Sequence, residues 1–400
     1  MNIWIFNHYA KPPIFAGGSR HYDMATELIK EGHDVTIFTS SFIHSERREY
    51  IEYDSNEFFR IEIIDNIKFV WIKTKAYGNA FNRILNALQY YKNVKKTSEY
   101  KEFLKPDLII GSAVHLLAPL LASKLAKKYN AKFYFEERDF WPQTFVDFGK
   151  ISKKNPITLL LYRLEKSLYV KADRIIVLFD KANEYVESKG ISSKKIIYLP
   201  NGIAPKENIH NSKLENIYTK VENCFKIIYI GSYGQANELN RILELAFLMK
   251  DAKDVKFMFF GSGPLKGELL EFKFKNNLEN VEFHDQIPKS NITYLLSKAD
   301  LGIISIKDSP LYKYGFSMNK IYDYLYAGLP LIMIIDKKLG SSFDKEGIFV
   351  NNNLEIQKQN IINLKNDKIL YEKYSEESKL ISKNFLWENQ IKKLTSEFEK

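Results

Sequence analysis

Lys320 lies at a position where a cation could bind a phosphate. It belongs to the stretch YGFSMNKIYDYLYAGLP, residues 314–330, just after the start of a predicted helix. The amides of Ser317–Asn319 would point at a ligand there, and a cation in the first turn opposes the helix dipole unless an anion shares the position. A simpler interpretation stays open, in which Ser317 caps the helix and Lys320 pairs with Asp323 for about 0.3 kcal/mol.

Three glycine-containing turns follow predicted strands and lead into predicted helices. Glycine lets the backbone approach a ligand closely, and the helix start that follows favours an anion. Each turn can also be ordinary strand-to-helix chemistry, and none matches the GxGxxG dinucleotide pattern. The residues concerned are Gly17, Gly18, Gly231, Ser232, Gly261, Ser262 and Gly263.

In FYFEERDFW, residues 133–141, a predicted apolar strand is followed directly by a run of four charged residues. Charged side chains at such a position are costly unless they face a ligand or pair with one another. Asp139 could orient a hydroxyl group, and Trp141 could offer an apolar face to a sugar ring or a lipid. Alternatively, Arg138 bridges a neighbouring carboxylate and Trp141 belongs to the core.

Short apolar strands alternate with amphipathic helices along the chain, which predicts an α/β protein with parallel sheets. The series restarts after the polar segment 205–217. We therefore predict two Rossmann-like, doubly wound domains, residues 1–204 and 205–375, and a helix in 376–400 that packs back on the first domain. Ligands of such sheets bind at the carboxyl ends of strands, so the expected site is a cleft between two facing domains.

Composition narrows the class of protein. The single cysteine, Cys224, excludes an internal disulfide and a multi-cysteine zinc site and fits a reducing cytoplasm. The start of the chain does not resemble a signal peptide, and no apolar run is long enough to span a membrane. The net charge of +10 favours an anionic partner, and a nucleic acid, a lipid surface and a phosphorylated substrate all qualify.

The segment 81–105 could contact a lipid surface. Its apolar side chains recur at helical spacing, and basic side chains accompany them. Such a helix can lie on an anionic leaflet, although an ordinary surface helix has the same pattern. The apolar residues are Phe81, Ile84, Leu85 and Leu88, and the basic ones are Arg83, Lys92, Lys95 and Lys96.

The order of these motifs resembles the family 4 glycosyltransferases, retaining enzymes with the two-domain GT-B fold. The resemblance rests on AGGSRHYDMATELIKEGHDVTIFT, LPNGI, YIGSYG, FFGSGP and SMNKIYDYLYAGLPLI. ERDFWP and NKIYDYLYAG look like the subgroup that builds bacterial O-antigen and capsule, which includes N-acetylfucosamine transferases.

The resemblance implies a UDP-sugar donor in the second domain and an acceptor in the first. Asp139 and Lys320 would be the catalytic residues, and the acceptor would contact Arg20, Arg138 and Trp141. The acceptor would be an undecaprenyl-diphosphate-linked saccharide, and the enzyme would work at the inner face of the cytoplasmic membrane without a cofactor or a metal. The donor would contact Gly17, Gly18, Gly231, Ser232, Gly261, Ser262, Gly263, Ser317, Met318, Asn319 and Asp323.

The chain departs from the family pattern at two places. The usual pair of glutamates eight positions apart appears as Gly315 and Asp323, and residues 234–239 lack the usual Arg and Lys that clamp the diphosphate. Arg241 is in the wrong register to replace them. We therefore expect Lys320 to neutralise more of the phosphate charge than is usual.

Two other functions remain open. A non-hydrolysing UDP-N-acetylglucosamine epimerase shares the GT-B architecture and would need no acceptor. A nucleic-acid-binding protein would also be basic, but the sequence shows neither a helix-turn-helix nor an aromatic RNA platform, so we expect no nucleic-acid partner.

Overall fold

The computed structural model describes residues 1–15, 18–44, 46–205 and 207–398. The chain divides into two compact units, Met1–Pro200 with Gln390–Lys400, and Asn201–Asn389. The division at Pro200 is close to the predicted boundary at residue 204. The sequence predicts that the segment 376–400 packs on the first domain. In the structure, the part of this segment up to Asn389 belongs to the second unit, and Gln390–Lys400 belongs to the first.

The first unit is built on an eight-stranded sheet with the order β10-β9-β8-β7-β1-β2-β6-β5. All neighbouring strands are parallel except β5 and β6. Its strands are β1 (Asn2–Phe6), β2 (Asp34–Ser40), β5 (Phe59–Ile64), β6 (Ile67–Ile72), β7 (Leu108–Ala113), β8 (Lys132–Glu137), β9 (Arg174–Val177) and β10 (Ile196–Tyr198), with a separate small pair, β3 (Phe42–Ile43) and β4 (Arg48–Glu49). Its helices are α1 (Arg20–Lys30), α2 (Ala80–Thr97), α3 (Leu117–Tyr129), α4 (Gln143–Asp147), α5 (Pro156–Lys171) and α6 (Ala182–Ser188).

The second unit is built on a six-stranded, fully parallel sheet with the order β13-β12-β11-β14-β15-β16. Its strands are β11 (Phe225–Ile230), β12 (Val255–Phe260), β13 (Val281–His284), β14 (Leu301–Ser305), β15 (Leu331–Ile334) and β16 (Ile348–Val350). Its helices are α7 (Ser212–Thr219), α8 (Asn240–Leu248), α9 (Lys266–Lys275), α10 (Ile292–Ser297), α11 (Asn319–Tyr326), α12 (Leu354–Asn366) and α13 (Lys368–Ser382), and the chain ends with α14 (Trp387–Thr395). The predicted α/β class with two parallel-sheet domains is confirmed.

Each sheet has its own apolar core, because its strands are short runs of Ile, Val, Leu and aromatic residues. In the first unit, the rings of Trp4 and Phe38 on neighbouring strands lie 5.2 Å apart, and both side chains are buried. In the second unit, Tyr229 and Phe259 make a similar pair at 5.9 Å. Strands that are apolar along their whole length are typical of parallel sheets covered by helices.

A buried carboxylate lies near the carboxyl end of β8. Glu136 is 0% exposed and accepts hydrogen bonds from Arg20 Nε at 2.8 Å and from Ser112 Oγ at 2.5 Å; its other contact is His21 Nε2 at 2.7 Å. Burial alone would raise the pKa of Glu136, but His21 and Arg20 hold it well below its usual range. The ionised group therefore joins the start of α1 to strands β7 and β8.

Arg20 also fixes the segment that follows β10. Its terminal nitrogens donate to the carbonyls of Leu199 at 2.8 Å and Pro200 at 2.7 Å. Because the guanidinium is shared between Glu136 and this segment, the start of α1 and the end of the first unit have a common anchor.

We expect Glu136→Gln to destabilise the first unit by about 3 kcal/mol or more, because it leaves the buried Arg20 cation without a counter-ion. Urea unfolding followed by tryptophan fluorescence would measure this, since Trp4, Trp71 and Trp141 all lie in the first unit. Glu99→Gln is a matched control, because its partner Lys128 and Glu99 itself are both exposed, and little change is expected there. An unchanged unfolding midpoint in Glu136→Gln would contradict the anchoring role.

Candidate active site

Lys320 lies in the first turn of α11 and reaches the end of β11. Its Nζ donates to the hydroxyl of Tyr229 at 2.8 Å and to Asn237 Oδ1 at 3.3 Å. It also lies 4.2 Å from the centre of the Tyr229 ring. A side chain at position 231 would crowd it, since a Cβ on Gly231 would come within 3.0 Å of Nζ.

The Lys320 ammonium has no acidic partner. The ion pairs in the described part of the chain do not include it, so the alternative of a Lys320–Asp323 pair is wrong. Its side chain keeps some accessible surface, yet the surrounding protein excludes enough water to lower the pKa of Lys320 to about 7. A cation that is desolvated without a counter-ion favours binding of an anion.

The glycine turn after β11 is held beside this lysine. The carbonyl of Ser232 accepts hydrogen bonds from the hydroxyl of Tyr229 and from Asn237 Nδ2, both at 2.9 Å. Tyr229 thus uses its proton toward Ser232 and offers a lone pair to Lys320. Tyr229 and Asn237 were missed in the sequence, because nothing in the local pattern marks them as neighbours of a residue more than 80 positions away.

The glycine turn after β12 touches the one after β11. A Cβ on Gly261 would lie 1.9 Å from the carbonyl oxygen of Gly231, so no larger residue fits. Gly263 has φ +159° and packs against the backbone of Tyr233, whose N–H donates to the carbonyl of Ser262 at 2.8 Å. The structure therefore brings both predicted turns together with Lys320.

The predicted cap of α11 is wrong. The N-cap position is Met318, which makes no side-chain cap, and Ser317 is occupied elsewhere. The backbone N–H of Asn201 donates to Ser317 Oγ at 2.9 Å, and Asn201 Nδ2 donates to the Ser317 carbonyl at 2.8 Å. The Ser317 hydroxyl also contacts that of Tyr322 at 2.9 Å.

With no side-chain cap, the start of α11 keeps amides that can bind a ligand. The N–H groups of Asn319 and Lys320, in its first turn, have no acceptor within the helix. They add the positive end of the helix dipole to the ammonium of Lys320. Asp323 lies one turn further along and is half-buried, and its role toward a donor stays a prediction.

The structure shows the surroundings of Gly315 and Arg241, the residues at the two departures from the family pattern. Gly315 is buried and has no side chain to replace the missing carboxylate. Arg241 is engaged away from the glycine turns, since its guanidinium donates to Glu244 Oε2 and to the Asn352 carbonyl, both at 2.7 Å. It therefore does not substitute for the absent diphosphate clamp.

In the first unit, Asp139 is exposed just after β8. Crowding by protein raises the pKa of Asp139, while Arg138 and Arg83 oppose that shift electrostatically. The turn is shaped by buried Glu137, whose Oε1 accepts from the backbone N–H groups of Asp139 at 3.3 Å and Phe140 at 2.8 Å. Glu137 thus positions the carboxylate rather than reacting.

The other predicted residues of the first unit have different surroundings. Gly17 lies outside the described residues, and Gly18 is exposed before α1. Arg20, for which acceptor contact stays a prediction, is 5% exposed and bonds to Glu136 and two carbonyls. Arg138 and Trp141 are partly exposed, and the Trp141 ring packs edge-on against Phe145 at 4.1 Å.

Comparison with known proteins supports the enzyme class. Residues 17–207, just under half of the chain, match the sequence profile of Glycosyltransferase Family 4, and over that part the chain is similar to this family. The chain is a glycosyltransferase. It is 19% identical over 284 residues to the probable glycosyltransferase WbjE of Pseudomonas aeruginosa, which covers 69% of this chain and 68% of that protein.

Solved structures of low sequence identity share the fold of this chain. HepE of Anabaena in complex with UDP-glucose has a TM-score of 0.68 at 14% identity and covers 99% of both chains. WaaG, a glycosyltransferase involved in lipopolysaccharide biosynthesis, has a TM-score of 0.64 at 13% identity and covers 98% of both chains. The predicted GT-B fold is thereby confirmed.

We expect Lys320 of this glycosyltransferase to lose its proton near pH 7 and to be charged below that pH. Adding inorganic diphosphate should raise the pKa of Lys320, because negative charge nearby favours the protonated amine. Carbon NMR of protein labelled at the lysine ε position measures both effects, with Lys320→Arg assigning the signal. A signal that titrates only above about pH 9, or that diphosphate does not shift, would contradict anion binding here.

Proposed function

We propose that this enzyme transfers a sugar from a UDP-sugar to a hydroxyl group, with retention of the anomeric configuration. The observation that carries the proposal is the desolvated ammonium of Lys320, which has no acidic partner in the described chain and lies beside the glycine turns. A nucleotide diphosphate supplies the negative charge that this site lacks. The fold shared with HepE, which was solved with UDP-glucose, supports uracil as the base.

Positive charge at this site acts on the leaving group. When the bond between the anomeric carbon and the diphosphate oxygen breaks, negative charge grows on the β-phosphate. Lys320 and the amides at the start of α11 stabilise that charge where it develops. They need no metal for this, and we propose a metal-independent reaction without a cofactor.

The acceptor side of the reaction involves Asp139. Its exposed carboxylate accepts a hydrogen bond from the attacking hydroxyl and orients it. The hydroxyl oxygen forms the new bond to the anomeric carbon, and its proton passes to the oxygen of the departing diphosphate. Atoms and charge then balance without a separate base, and the sugar stays on the same face because attack and departure share that face.

We also propose the substrate class within this reaction. The sugar is an N-acetylated amino or deoxyamino sugar, and the acceptor is a saccharide linked to undecaprenyl diphosphate during synthesis of a bacterial surface polysaccharide. The resemblance of ERDFWP and NKIYDYLYAG to that subgroup supports this, as does the fold shared with WaaG. The net charge of +10 suits an anionic lipid-linked substrate.

A face of α2 supports contact with the inner membrane surface. Phe81, Ile84 and Leu88, spaced at helical intervals, are 69%, 59% and 48% exposed, respectively. Lys92 and Lys95 are exposed further along the same helix. None of the helices within the described residues is both long and apolar enough to cross a bilayer. We propose that this face inserts shallowly into an anionic leaflet while the basic side chains contact the headgroups.

We expect Lys320→Ala to lower turnover about 10²-fold, in line with losing one donor to a developing oxyanion. Asp139→Asn should lower transfer while leaving stabilisation by UDP-sugars intact. Release of UDP and thermal stabilisation, measured over a panel of nucleotide sugars with and without lipid-linked acceptor, separate these effects. Lys313→Ala is the matched control, because Lys313 is an exposed lysine of the same segment.

Wild-type turnover in Lys320→Ala would contradict the proposed role of Lys320 in stabilising the leaving phosphate. Epimerised UDP-sugar formed without an acceptor would instead identify an epimerase of the same architecture.

We expect the triple change Phe81→Ser, Ile84→Ser and Leu88→Ser to reduce flotation with anionic vesicles severalfold, because it removes the apolar part of the face. Vesicles containing phosphatidylglycerol and vesicles of phosphatidylcholine alone provide the comparison. The triple change Ile157→Ser, Leu160→Ser and Val170→Ser is a matched control, since these apolar side chains are exposed on α5 instead. Equal flotation of all three proteins would exclude α2 as the docking face.

A further inference from the structure

A group of aromatic and basic side chains lies in the first unit, outside the chemistry described above. We call it the Arg83 cluster and define it as Tyr9, His44, Tyr77 and Arg83. Tyr9 follows β1, His44 follows β3, Tyr77 follows β6, and Arg83 is in the first turn of α2. Tyr9 and Tyr77 therefore come from loops after strands of the main sheet, where ligands of parallel sheets bind.

The aromatic members hold one another in place. The Tyr77 hydroxyl lies 2.7 Å from His44 Nδ1 and 3.3 Å from the Tyr9 hydroxyl. The rings of His44 and Tyr77 are stacked, with centroids 5.5 Å apart and planes 19° from parallel. These contacts make a wall of three rings whose relative positions are fixed by hydrogen bonds as well as by packing.

Arg83 is held by one edge only. Its Nε donates to the Tyr9 hydroxyl at 3.3 Å, and its guanidinium carbon lies 5.9 Å from the centre of the Tyr9 ring. In the described part of the chain, its two terminal amino groups make no hydrogen bond and no ion pair. A guanidinium positioned through Nε with its terminal donors open matches the two oxygens of a phosphate or a carboxylate.

The surroundings of Arg83 have a surplus of positive charge. Burial, with Arg83 as a further cause, lowers the pKa of His8, His44 and His115, so these imidazoles are neutral at pH 7. They add no charge of their own, and the charge of Arg83 contributes to the shift at each of them. Asp139 is a carboxylate whose pKa Arg83 lowers electrostatically, and Arg138 lowers the same pKa more strongly.

The nearby acid on the loop after β3 does not cancel this surplus. Glu46 is paired with Arg48, with Oε2 and Nε 2.7 Å apart. Lys11 and Arg47 both add positive charge around His44 and lower its pKa further. An incoming anion would therefore meet an attractive potential at the open edge of the Arg83 guanidinium.

We propose that the Arg83 cluster is a subsite for an anionic group, a phosphate or a carboxylate, of the molecule whose hydroxyl Asp139 orients. Arg83 binds the anion through its terminal donors, Tyr9 positions Arg83, and the wall of rings packs against the adjoining apolar or sugar surface. The name acceptor for that molecule rests on the function proposed above. The anion is either the diphosphate of a lipid carrier or the carboxylate of an acidic sugar.

The test is calorimetric binding to the full chain with UDP at saturation, so that diphosphate probes cannot occupy the site of Lys320. The probes are geranyl diphosphate and methyl β-D-glucuronide, with geraniol and methyl β-D-glucoside as their neutral counterparts. We expect one anionic probe to bind at least about tenfold more tightly than its counterpart. Arg83→Ala should remove that preference, and Arg83→Lys should restore only part of it, because an ammonium lacks the planar fork.

Two further variants separate this subsite from a general loss of charge or fold. Tyr9→Phe should weaken anion binding severalfold, since it frees the Nε edge of Arg83. Arg163→Ala removes an exposed guanidinium from α5 of the same unit and should change nothing. UDP should bind Arg83→Ala as it binds the wild type, which also shows that the variant is folded.

The outcomes distinguish the two sources of the anion and the two proposals. Preference for geranyl diphosphate assigns a carrier lipid, and preference for the glucuronide assigns an acidic sugar. Binding of neither anion, or equal binding by wild type and Arg83→Ala, overturns the subsite and leaves the donor proposal intact. If the wild type does not bind UDP, the proposed donor fails, and the same titrations without UDP still decide the subsite.

Discussion

The structure of the first unit depends on one ionised carboxylate that has no contact with water. Glu136 lies inside the sheet, and its charge is balanced by Arg20 from the start of α1. Because a buried charge is tolerated only with its partners in place, the start of α1 and the segment after β10 cannot shift independently. Asp139 follows Glu136 by three residues, so the backbone that carries Asp139 is held close to the same anchor.

In the described part of the second unit, the desolvated charge has neutral partners instead of a counter-ion. Lys320 is desolvated, and among the described residues its hydrogen-bond partners are the neutral side chains of Tyr229 and Asn237. In the first unit the protein supplies the counter-ion and gains a fixed frame, whereas in the second we propose that the substrate supplies it. A site with this arrangement is less stable when empty, and ligand binding restores the missing stability.

The sequence was sufficient for the fold class because the strands of parallel sheets are short apolar runs separated by helices. It was not sufficient for the antiparallel hairpin of β5 and β6, where charged residues interrupt the apolar pattern in FRIEII and the turn at Asp65 and Asn66 has φ of 50° and 65°. Lys320 was singled out because its conflict with the helix dipole is a local property. The ion pair of Arg20 with Glu136 was not predicted, because the two residues lie 116 positions apart and a single sequence does not show such pairings.

The direct contact between the two glycine turns limits how this site can change. The backbone at Gly261 lies against the carbonyl of Gly231, and no side chain separates them. A substitution in either turn would displace the other, so the two turns behave as one rigid surface. In the proposed reaction, adaptation to a different sugar would therefore come from the side chains around this surface, with the diphosphate position unchanged.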